Sequence, residues 1–312
     1  MNGYYVGVDI GGTSAKMCLY HAGEFISKWS IPTNKEDSSD VLLDNLVKSI
    51  DEQCGQFGIK INELSGIGIG IPGPVTAVGT VLECVNLNFG VVKIKDEMCK
   101  RVGIDNVVVG NDANVAALGE MWLGGAKGYK DVVMVTLGTG VGGGVIINGK
   151  IHVGSAGAAA EIGHMTVVPD EEDVCSCGCH GCIEQYASAT GIVRLAKKEL
   201  AMSDMSSALR QGEVSAKTVF DEAKKGDALA MKVVDTFAKY LGITLANVAS
   251  VTDPEVFLIG GGVSAAGSII TDMVGKYYIS YAMKPFKNKE IRLATLGNDA
   301  GVYGCIKMAM DE

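Results

Sequence analysis

The sequence is short of basic residues and has no long apolar run. Its 312 residues include 27 Lys and Arg against 36 Asp and Glu, a formal net charge of -9, and no basic cluster stands out. Nucleic-acid binding depends on cationic contacts to phosphates, so we expect no nucleic-acid partner. No apolar stretch approaches the roughly 20 residues needed to cross a bilayer, so we expect no membrane partner either.

A secretory signal is also missing from the sequence. Met1-Asn-Gly-Tyr4 has no basic n-region and leads directly into a strand-like run. We therefore expect a cytoplasmic protein, in a reducing compartment where closely spaced cysteines bind metal more often than they pair. The length is sufficient for two lobes with a large core.

Two common nucleotide-binding motifs are excluded. No Gly-x-x-x-x-Gly-Lys-Ser/Thr loop occurs, so this is not a Walker-type enzyme. Gly68–Gly73 and Gly138–Gly143 match Gly-x-Gly-x-x-Gly, but the dinucleotide fingerprint needs a helix directly after the glycines. The first match contains two prolines, and the second is followed by a strand-like run and the hairpin turn Asn148-Gly149.

What the chain does contain is a strand–glycine turn–strand unit that occurs twice. The first runs from a strand at 4–10 through Gly11-Gly12-Thr13 into antiparallel strands at 15–20 and 24–30. The second runs from a strand at 131–137 through Gly138–Gly144 into a strand at 145–147. Apolar patterning predicts further strands at 66–71, 107–109 and 256–259, and helices at 39–57, 114–121, 187–200, 215–225, 227–251 and 300–310.

Both glycine turns have the chemistry of a phosphate site. Exposed backbone N–H groups and threonine hydroxyls in such turns suit phosphate oxygens, and one turn from each lobe would hold a triphosphate in the cleft between them. The candidate phosphate ligands are Gly11, Gly12, Thr13 and Lys16 in the first turn and Thr139, Gly140 and Gly142 in the second.

Two neighbouring features have two interpretations each. Asp9 directly precedes the first glycine turn, where a carboxylate either coordinates Mg²⁺ on the phosphates or stabilises the turn. Gly260-Gly261-Gly262 follows a buried strand, where it either lets the backbone approach a nucleobase or ribose or forms a simple turn.

Asn111-Asp112 follows another buried strand, near the predicted lobe boundary. A carboxylate at a strand end in a cleft is well placed to accept the proton of an alcohol during phosphoryl transfer. The alternative interpretation is that Asp112 caps the helix predicted from Asn114 onward. The local pattern does not decide between these interpretations.

Residues 161–184 are the most informative stretch of the chain. They contain Glu161-Ile-Gly-His164 and then Cys175-Ser-Cys177-Gly-Cys179-His-Gly-Cys182-Ile-Glu184. Thiolates and imidazole are the ligands that zinc prefers, and four of them close a tetrahedral site. The two glutamates are better explained as hydrogen-bond acceptors for a polar ligand bound beside the metal. A redox-active thiol cluster is the alternative, and the remaining cysteines are interpreted as buried small apolar residues: Cys18, Cys54, Cys84, Cys99 and Cys305.

Taken together, these motifs resemble the ROK family of sugar kinases and sugar-responsive repressors, within the actin/hexokinase-like ATPase superfamily. The resemblance runs nearly end to end, and it also includes Gly70-Ile-Pro-Gly-Pro74 and Gly260–Ser264. Asn86-Leu-Asn-Phe89 and Gln185–Thr190 look most like the bacterial glucokinase branch.

The resemblance implies a two-lobed α/β fold of the actin/hexokinase-like (ribonuclease H-like) type, with a duplicated mixed-sheet core and a cleft between the lobes. The predicted lobes are residues 1–115, with the closing helix 299–312 packed back on them, and residues 116–298, with the zinc segment at 164–182. Family members imply a homo-oligomer, either a dimer or a tetramer.

The resemblance also implies the activity, which is transfer of a phosphoryl group from ATP with Mg²⁺ to the 6-hydroxyl of glucose. Asp112 would be the general base, Gly261 and Gly262 would contact the nucleotide, and a structural Zn²⁺ would be present. The implied sugar ligands are Asn86, Asn111, Asp112, Glu161, His164 and Glu184. The implied zinc ligands are His164, Cys175, Cys177 and Cys182.

Some alternatives stay open at this point. Cys179 stands at a variable position of the family and leaves open which three cysteines coordinate, and His180 is a weaker alternative to His164. The substrate could be mannose, fructose, allose or an N-acetylated amino sugar. A sugar-responsive repressor would need a DNA-binding domain, for which the sequence ahead of Tyr4 has no room. A non-kinase ATPase of the superfamily is a third reading, disfavoured by the zinc-and-carboxylate segment.

Overall fold

A computed structural model describes residues 3–84 and 86–312. Over these residues the chain forms two five-stranded sheets with helices packed against them. The strands are β1 (Tyr4–Ile10), β2 (Ser14–His21), β3 (Glu24–Pro32), β4 (Gly66–Ile71), β5 (Val107–Asn111), β6 (Val132–Leu137), β7 (Val141–Ile147), β8 (Lys150–Ile151), β9 (Val256–Gly260) and β10 (Glu290–Leu293). The α-helices are α1 (Ser39–Gln56), α2 (Ile94–Val102), α3 (Asp112–Leu123), α4 (Glu184–Ala187), α5 (Ala189–Met202), α6 (Ala216–Lys224), α7 (Ala228–Thr252), α8 (Ser268–Tyr281) and α9 (Ala300–Met310).

The two sheets repeat one strand order. The first is ordered β3-β2-β1-β4-β5 and the second β8-β7-β6-β9-β10, so each sheet has a hairpin followed by two later strands on the other side. Strands β1, β4 and β5 are parallel, as are β6, β9 and β10, whereas β2 runs antiparallel to β1 and to β3. This duplication confirms the predicted α/β fold with two mixed sheets.

Contacts between residues divide the chain into two compact units. The first comprises Met1–Gly128, Gly144–Ala160 and Asn298–Glu312, and the second comprises Tyr129–Gly143 and Glu161–Gly297. The predicted lobes, 1–115 with 299–312 and 116–298, differ from these units in residues 116–128, 144–160 and 298. The lobes as functional bodies stay a prediction.

Burial of one face of α1 explains how the first unit closes over its sheet. Leu42, Leu46 and Ile50 recur every four residues, so they lie on one side of the helix, and all three join the core cluster that includes Val6 and Val8 of β1. Ser38 caps the start of α1, because its side chain accepts the N–H of Val41.

The other face of the first sheet packs against α9 at unusually short range. A Cβ atom built at Gly68 of β4 would lie 1.9 Å from the backbone oxygen of Cys305, and one at Gly7 of β1 would lie 2.3 Å from that of Val302. Gly304 of α9 makes a similar approach to α3, 1.6 Å from Val115 O. Glycine at these positions lets the backbones come into contact. Gly68, the first glycine of the Gly68–Gly73 match, is therefore explained by packing against α9.

Most predicted elements match observed ones. The strands predicted at 4–10 and 66–71 and the helix at 300–310 have the predicted bounds, and Asp227 caps α7 through the N–H of Ala230 at 2.9 Å. Asn148 and Gly149 form the β7–β8 turn, both with positive φ. The prediction missed α2, α4, α8 and β10. It was also wrong to place Gly142–Gly144 in a turn, because these residues belong to β7.

All nine cysteines lie in the described residues and none forms a disulfide. Cys18, Cys54, Cys84 and Cys305 are buried as expected, and Cys99 is partly exposed. Within residues 3–84 and 86–312, no helix has the length and apolar character needed to cross a membrane.

We expect Gly68→Ala to destabilise the protein by about 3 kcal/mol, because the new methyl group meets the backbone of α9 rather than a flexible side chain. Urea unfolding monitored by circular dichroism measures the change. The matched control is Gly55→Ala in α1, where a Cβ atom meets nothing within 4 Å. That substitution should be neutral or stabilise by up to about 1 kcal/mol. Equal unfolding midpoints for the two variants would show that the close approach is unimportant.

Candidate active site

The first glycine turn joins β1 to β2 and is held by hydrogen bonds to its backbone. The N–H of Gly11 donates to Ser14 O at 2.9 Å, and the hydroxyl of Thr33 donates to Gly11 O at 2.8 Å. Thr13 is exposed and Gly12 is partly exposed, so both are accessible to a ligand. Asn86 is exposed and lies close by, because a Cβ atom at Gly12 would be 3.8 Å from Asn86 O.

Asp9 lies at the end of β1, opposite Lys16 in the register of the β1–β2 hairpin. Burial, and after it the negative charge of Asp112, raises the pKa of Asp9 to about 6, while Lys16 opposes the rise. Gly301 of α9 makes room for the carboxylate, since a Cβ atom there would lie 2.5 Å from Asp9 Oδ2. Two carboxylates sharing one low-dielectric region fit a divalent cation, which would relieve their repulsion.

Asp112 is the first residue of α3, directly after the end of β5. Burial raises its pKa above the ordinary value, and a hydrogen bond of 2.8 Å from the N–H of Ala113 opposes the rise. The helix cap is Asn111, whose Oδ1 accepts the N–H groups of Ala113 and Asn114 and whose Nδ2 donates to Gly73 O at 3.1 Å. The interpretation of Asp112 as the cap is therefore wrong, because its neighbour fills that position.

The second glycine turn joins β6 to β7 and spans Gly138–Gly140. The N–H of Gly138 donates to Gly140 O at 2.9 Å, which makes the turn tight. Gly261 lies against the start of this turn with a φ of +82°, and a Cβ atom there would be 2.5 Å from Leu137 O. Glycine is required at 261 for both reasons, and Gly262 begins a short 3₁₀ helix directly after it. The strand residue Gly142 stays a predicted phosphate ligand.

The structure brings together the ligand atoms of the four side chains that were predicted to bind zinc. These atoms, from His164, Cys175, Cys177 and Cys182, all lie within 4.8 Å of one another. Cys177 Sγ and Cys182 Sγ are 3.7 Å apart, and Cys175 Sγ is 3.9 Å from His164 Nδ1. A tetrahedral zinc site with Zn–S bonds of about 2.3 Å has ligand-to-ligand distances of roughly 3.5–3.8 Å. The two contacts of 3.7 and 3.9 Å lie close to that range, and the donor types suit this metal, although the widest pair of ligand atoms would have to move closer to bind it.

Local backbone conformation selects which cysteines join the cluster. Gly178 and Gly181 both have positive φ, which turns the chain sharply on either side of Cys179 and His180. Cys179 is exposed and outside the cluster, and His180 Nδ1 lies 3.0 Å from Glu171 O. Burial, and after it the neighbouring thiols, raises the pKa of Cys182, and metal binding would favour release of its proton.

The carboxylates beside the cluster have separate surroundings. His164 presents Nδ1 to the thiols, and its Nε2 lies 4.0 Å from Glu161 Oε2 on the other side of the ring. Glu184 accepts the hydroxyl of Ser176 at 3.0 Å on Oε1 and the N–H of Val141 at 2.9 Å on Oε2. The second contact joins the zinc segment to the end of the second glycine turn.

Sequence reasoning missed three residues that hold this turn, two by direct contact and Ser176 through Glu184. They are Ser176, Ala189, whose N–H donates to Gly138 O at 2.8 Å, and Thr190, whose hydroxyl donates to Thr139 O at 2.8 Å. The one signal in the sequence was Ser188, a residue type that often caps a helix. Ser188 does cap α5, because its side chain accepts the N–H of Gly191. That signal marks the start of α5 but not the contact with residues about 50 positions earlier.

The two mixed sheets, each with a glycine turn between its first two strands, define a hexokinase-like α/β protein. Residues 5–312 match the model of the ROK family, and the chain belongs to that family. It is 43% identical to a glucokinase of Halalkalibacterium halodurans over 96% of this chain and 93% of the relative, and 35% identical to a glucokinase of Streptomyces coelicolor over 99% and 98%. A ROK family glucokinase from Streptomyces griseus, solved in complex with glucose and AMPPNP, superposes with a TM-score of 0.78 at 34% identity, over 99% of this chain and 100% of the other.

The raised pKa of Asp9 predicts a pH-dependent stability difference. Above pH 6 the Asp9 carboxylate is ionised in both the folded and the unfolded protein, and its burial lowers the free energy of unfolding. Between pH 6 and 4 the carboxylate takes up a proton in the folded protein first, so this destabilisation disappears. We expect Asp9→Asn, which removes the charge, to stabilise the metal-free protein by about 2 kcal/mol at pH 7.5 and by little at pH 4. Urea unfolding across this range measures the difference.

The control for this prediction is Asp204→Asn, which alters an exposed loop carboxylate. Its stability relative to the unmodified protein should not change between pH 7.5 and 4. A destabilising effect of Asp9→Asn at pH 7.5 would contradict the account of Asp9 as a penalised buried charge.

The cluster predicts one zinc ion per chain. We expect Cys177→Ser to lose most of the zinc and to lower the melting temperature, because three ligands cannot close the tetrahedral site. Elemental analysis of the purified protein measures zinc directly. The matched control is Cys179→Ser, which replaces another exposed thiol two residues away and should retain the metal. The reverse pattern would exchange the roles of the two cysteines.

Proposed function

We propose that this protein is a glucokinase, which transfers the γ-phosphoryl group of ATP to the 6-hydroxyl of glucose. One observation carries the proposal: Asp112, a partly buried carboxylate whose pKa is raised, follows a strand in the same unit as the first glycine turn. The family match over residues 5–312 and the end-to-end similarity to glucokinases support it.

Asp112 is proposed as the general base. Its raised pKa makes it a stronger base than an exposed aspartate, and the N–H of Ala113 orients one carboxylate oxygen. The other oxygen is available to accept the proton of the 6-hydroxyl as that oxygen attacks phosphorus. Asn111 is proposed to bind a second sugar hydroxyl, because its amide is already oriented by the helix cap and by Gly73 O.

The nucleotide is assigned to the two glycine turns. Backbone N–H groups of Gly11, Gly12 and Gly140, with the hydroxyls of Thr13 and Thr139, would bind phosphate oxygens, and Lys16 would add positive charge. Asp9 would hold Mg²⁺, which neutralises charge on the phosphates when bound. Gly261 and Gly262 would let the backbone lie against the nucleoside.

The zinc segment is assigned to the sugar. With Nδ1 on the metal, the imidazole of His164 would present Nε2 to a hydroxyl in a fixed tautomer, and zinc when bound supplies that orientation. Glu161 and Glu184 would accept hydrogen bonds from further hydroxyls, and Asn86 would complete the set. A hexose whose hydroxyls leave these acceptors unpaired should be a poor substrate.

The proposal extends to the wider setting that the family resemblance implies. The protein would act in the cytoplasm, in carbohydrate metabolism and glycolysis, as a dimer or tetramer of identical chains.

A sugar panel tests the proposal, with product formation measured by coupled assay for glucose, mannose, fructose, allose and N-acetylglucosamine, each with ATP and with polyphosphate. We expect glucose with ATP to give the highest kcat/KM. Asp112→Asn should lower kcat at least about 10²-fold, the scale of general-base catalysis, while glucose binding by calorimetry persists.

Three results would each overturn a part of this proposal. Near-normal turnover by the Asp112→Asn protein would remove that residue from its assigned role. A clear preference for another hexose would leave the kinase activity standing but replace glucose as the substrate. ATP hydrolysis that is independent of every sugar would instead indicate a non-kinase ATPase.

A further inference from the structure

The second glycine turn is tied at three points to one short segment of the chain, Glu184–Thr190. Gly138 O accepts the N–H of Ala189 at 2.8 Å, Thr139 O accepts the hydroxyl of Thr190 at 2.8 Å, and the N–H of Val141 donates to Glu184 Oε2 at 2.9 Å. The segment therefore contacts the turn at its beginning, its middle and its end.

These contacts orient the backbone groups that face a ligand. In a trans peptide the C=O of one residue and the N–H of the next lie in one plane and point in opposite directions. Fixing Gly138 O therefore fixes the direction of the Thr139 N–H, and fixing Thr139 O fixes the Gly140 N–H. Gly140 also must lack a side chain here, because a Cβ atom would lie 2.4 Å from Glu184 Oε2.

The segment is itself anchored next to the zinc cluster. Glu184 is two residues beyond Cys182, and its Oε1 accepts the hydroxyl of Ser176, which directly follows Cys175. Ser188 closes the far end, because its hydroxyl donates to Glu184 O at 2.7 Å and accepts the N–H of Gly191 at 2.9 Å. Metal ligation by the two cysteines would therefore hold both ends of the Ser176–Glu184 hydrogen bond.

We propose that Glu184–Thr190 is a brace that presets the phosphate turn for nucleotide, with Thr190 as a positioning residue. The inference rests on the proposed function, since it takes the turn to bind the phosphates of ATP. It adds a role for Thr190, which lies outside the predicted ligands, and it links nucleotide affinity to the zinc cluster through the chain rather than through the sugar.

Thr190→Val tests the brace, because it keeps the shape of an exposed side chain and removes the hydroxyl, which donates to Thr139 O and also lies 2.9 Å from Ser188 Oγ. We expect the Kd for Mg-AMPPNP, measured by calorimetry without sugar, to rise about three- to tenfold, the effect of one lost hydrogen bond. The KM for ATP should rise by a similar factor, with the KM for glucose unchanged. Thr190→Ser, which restores the hydroxyl, should bind nucleotide within about twofold of the unmodified protein.

Thr236→Val is the matched control, since its hydroxyl donates to Lys232 O within α7. It should leave nucleotide binding unchanged. A second arm removes zinc with a chelator, and nucleotide affinity without sugar should then fall as well. Equal nucleotide Kd values for Thr190→Val and the unmodified protein, or a rise in both KM values together, would overturn the brace. No nucleotide binding by the unmodified protein would instead overturn the proposed function beneath it.

Discussion

Burial of negative charge is the constraint on which the first unit depends. Asp9 and Asp112 come from different strand ends, yet the charge of one contributes to raising the pKa of the other, and the larger effect is their removal from water. Close packing of α9 offsets this cost. Gly68 of β4 lets the α9 backbone approach the sheet, and Gly301 and Gly304 of α9 leave room for Asp9 and for the backbone of α3. A region where two carboxylates are unfavourable by themselves favours binding of a cation, and it makes a carboxylate a better proton acceptor. Phosphoryl transfer to an alcohol requires both a cation and a proton acceptor.

The second unit solves a different problem, since its polar groups lie on irregular backbone. The chain between β8 and α5 has little regular structure of its own, and Gly178 and Gly181 bend it around the cluster of thiols and imidazole. Arg194 ties the same loop down through Glu171 at 2.9 Å, and the Arg194 hydrogen bond lowers the pKa of that carboxyl to about 2. Metal binding in such a segment would supply the order that a sheet supplies elsewhere.

Much of this arrangement could be read from the sequence, and the failures have physical causes. Buried strands with a glycine turn after them were identified closely, because both faces are apolar and the turn residues are distinctive. Helix α2 was missed because its apolar residues Ile94, Met98 and Val102 are too few to stand out among charges. The glycines of β4 were excluded as a dinucleotide motif, but their packing role was not predicted, since a strand pattern does not reveal that a helix backbone lies 1.9 Å from a missing Cβ atom. Residue types at the site were legible, whereas Thr190 was not, because its partner is 51 residues away.

The duplicated sheets offer an internal comparison for the role of Thr190. In the first turn a threonine outside the turn, Thr33, donates its hydroxyl to Gly11 O at 2.8 Å; in the second, Thr190 donates to Thr139 O at the same distance. The two threonines come from unrelated positions, since Thr33 directly follows β3 and Thr190 lies at the start of α5, so the sheet duplication alone does not account for them. What the turns share is backbone N–H groups that would be misdirected if the preceding carbonyl were free to rotate. A turn that must be ready for phosphate before the ligand arrives needs such a restraint, because ordering it during binding would cost affinity.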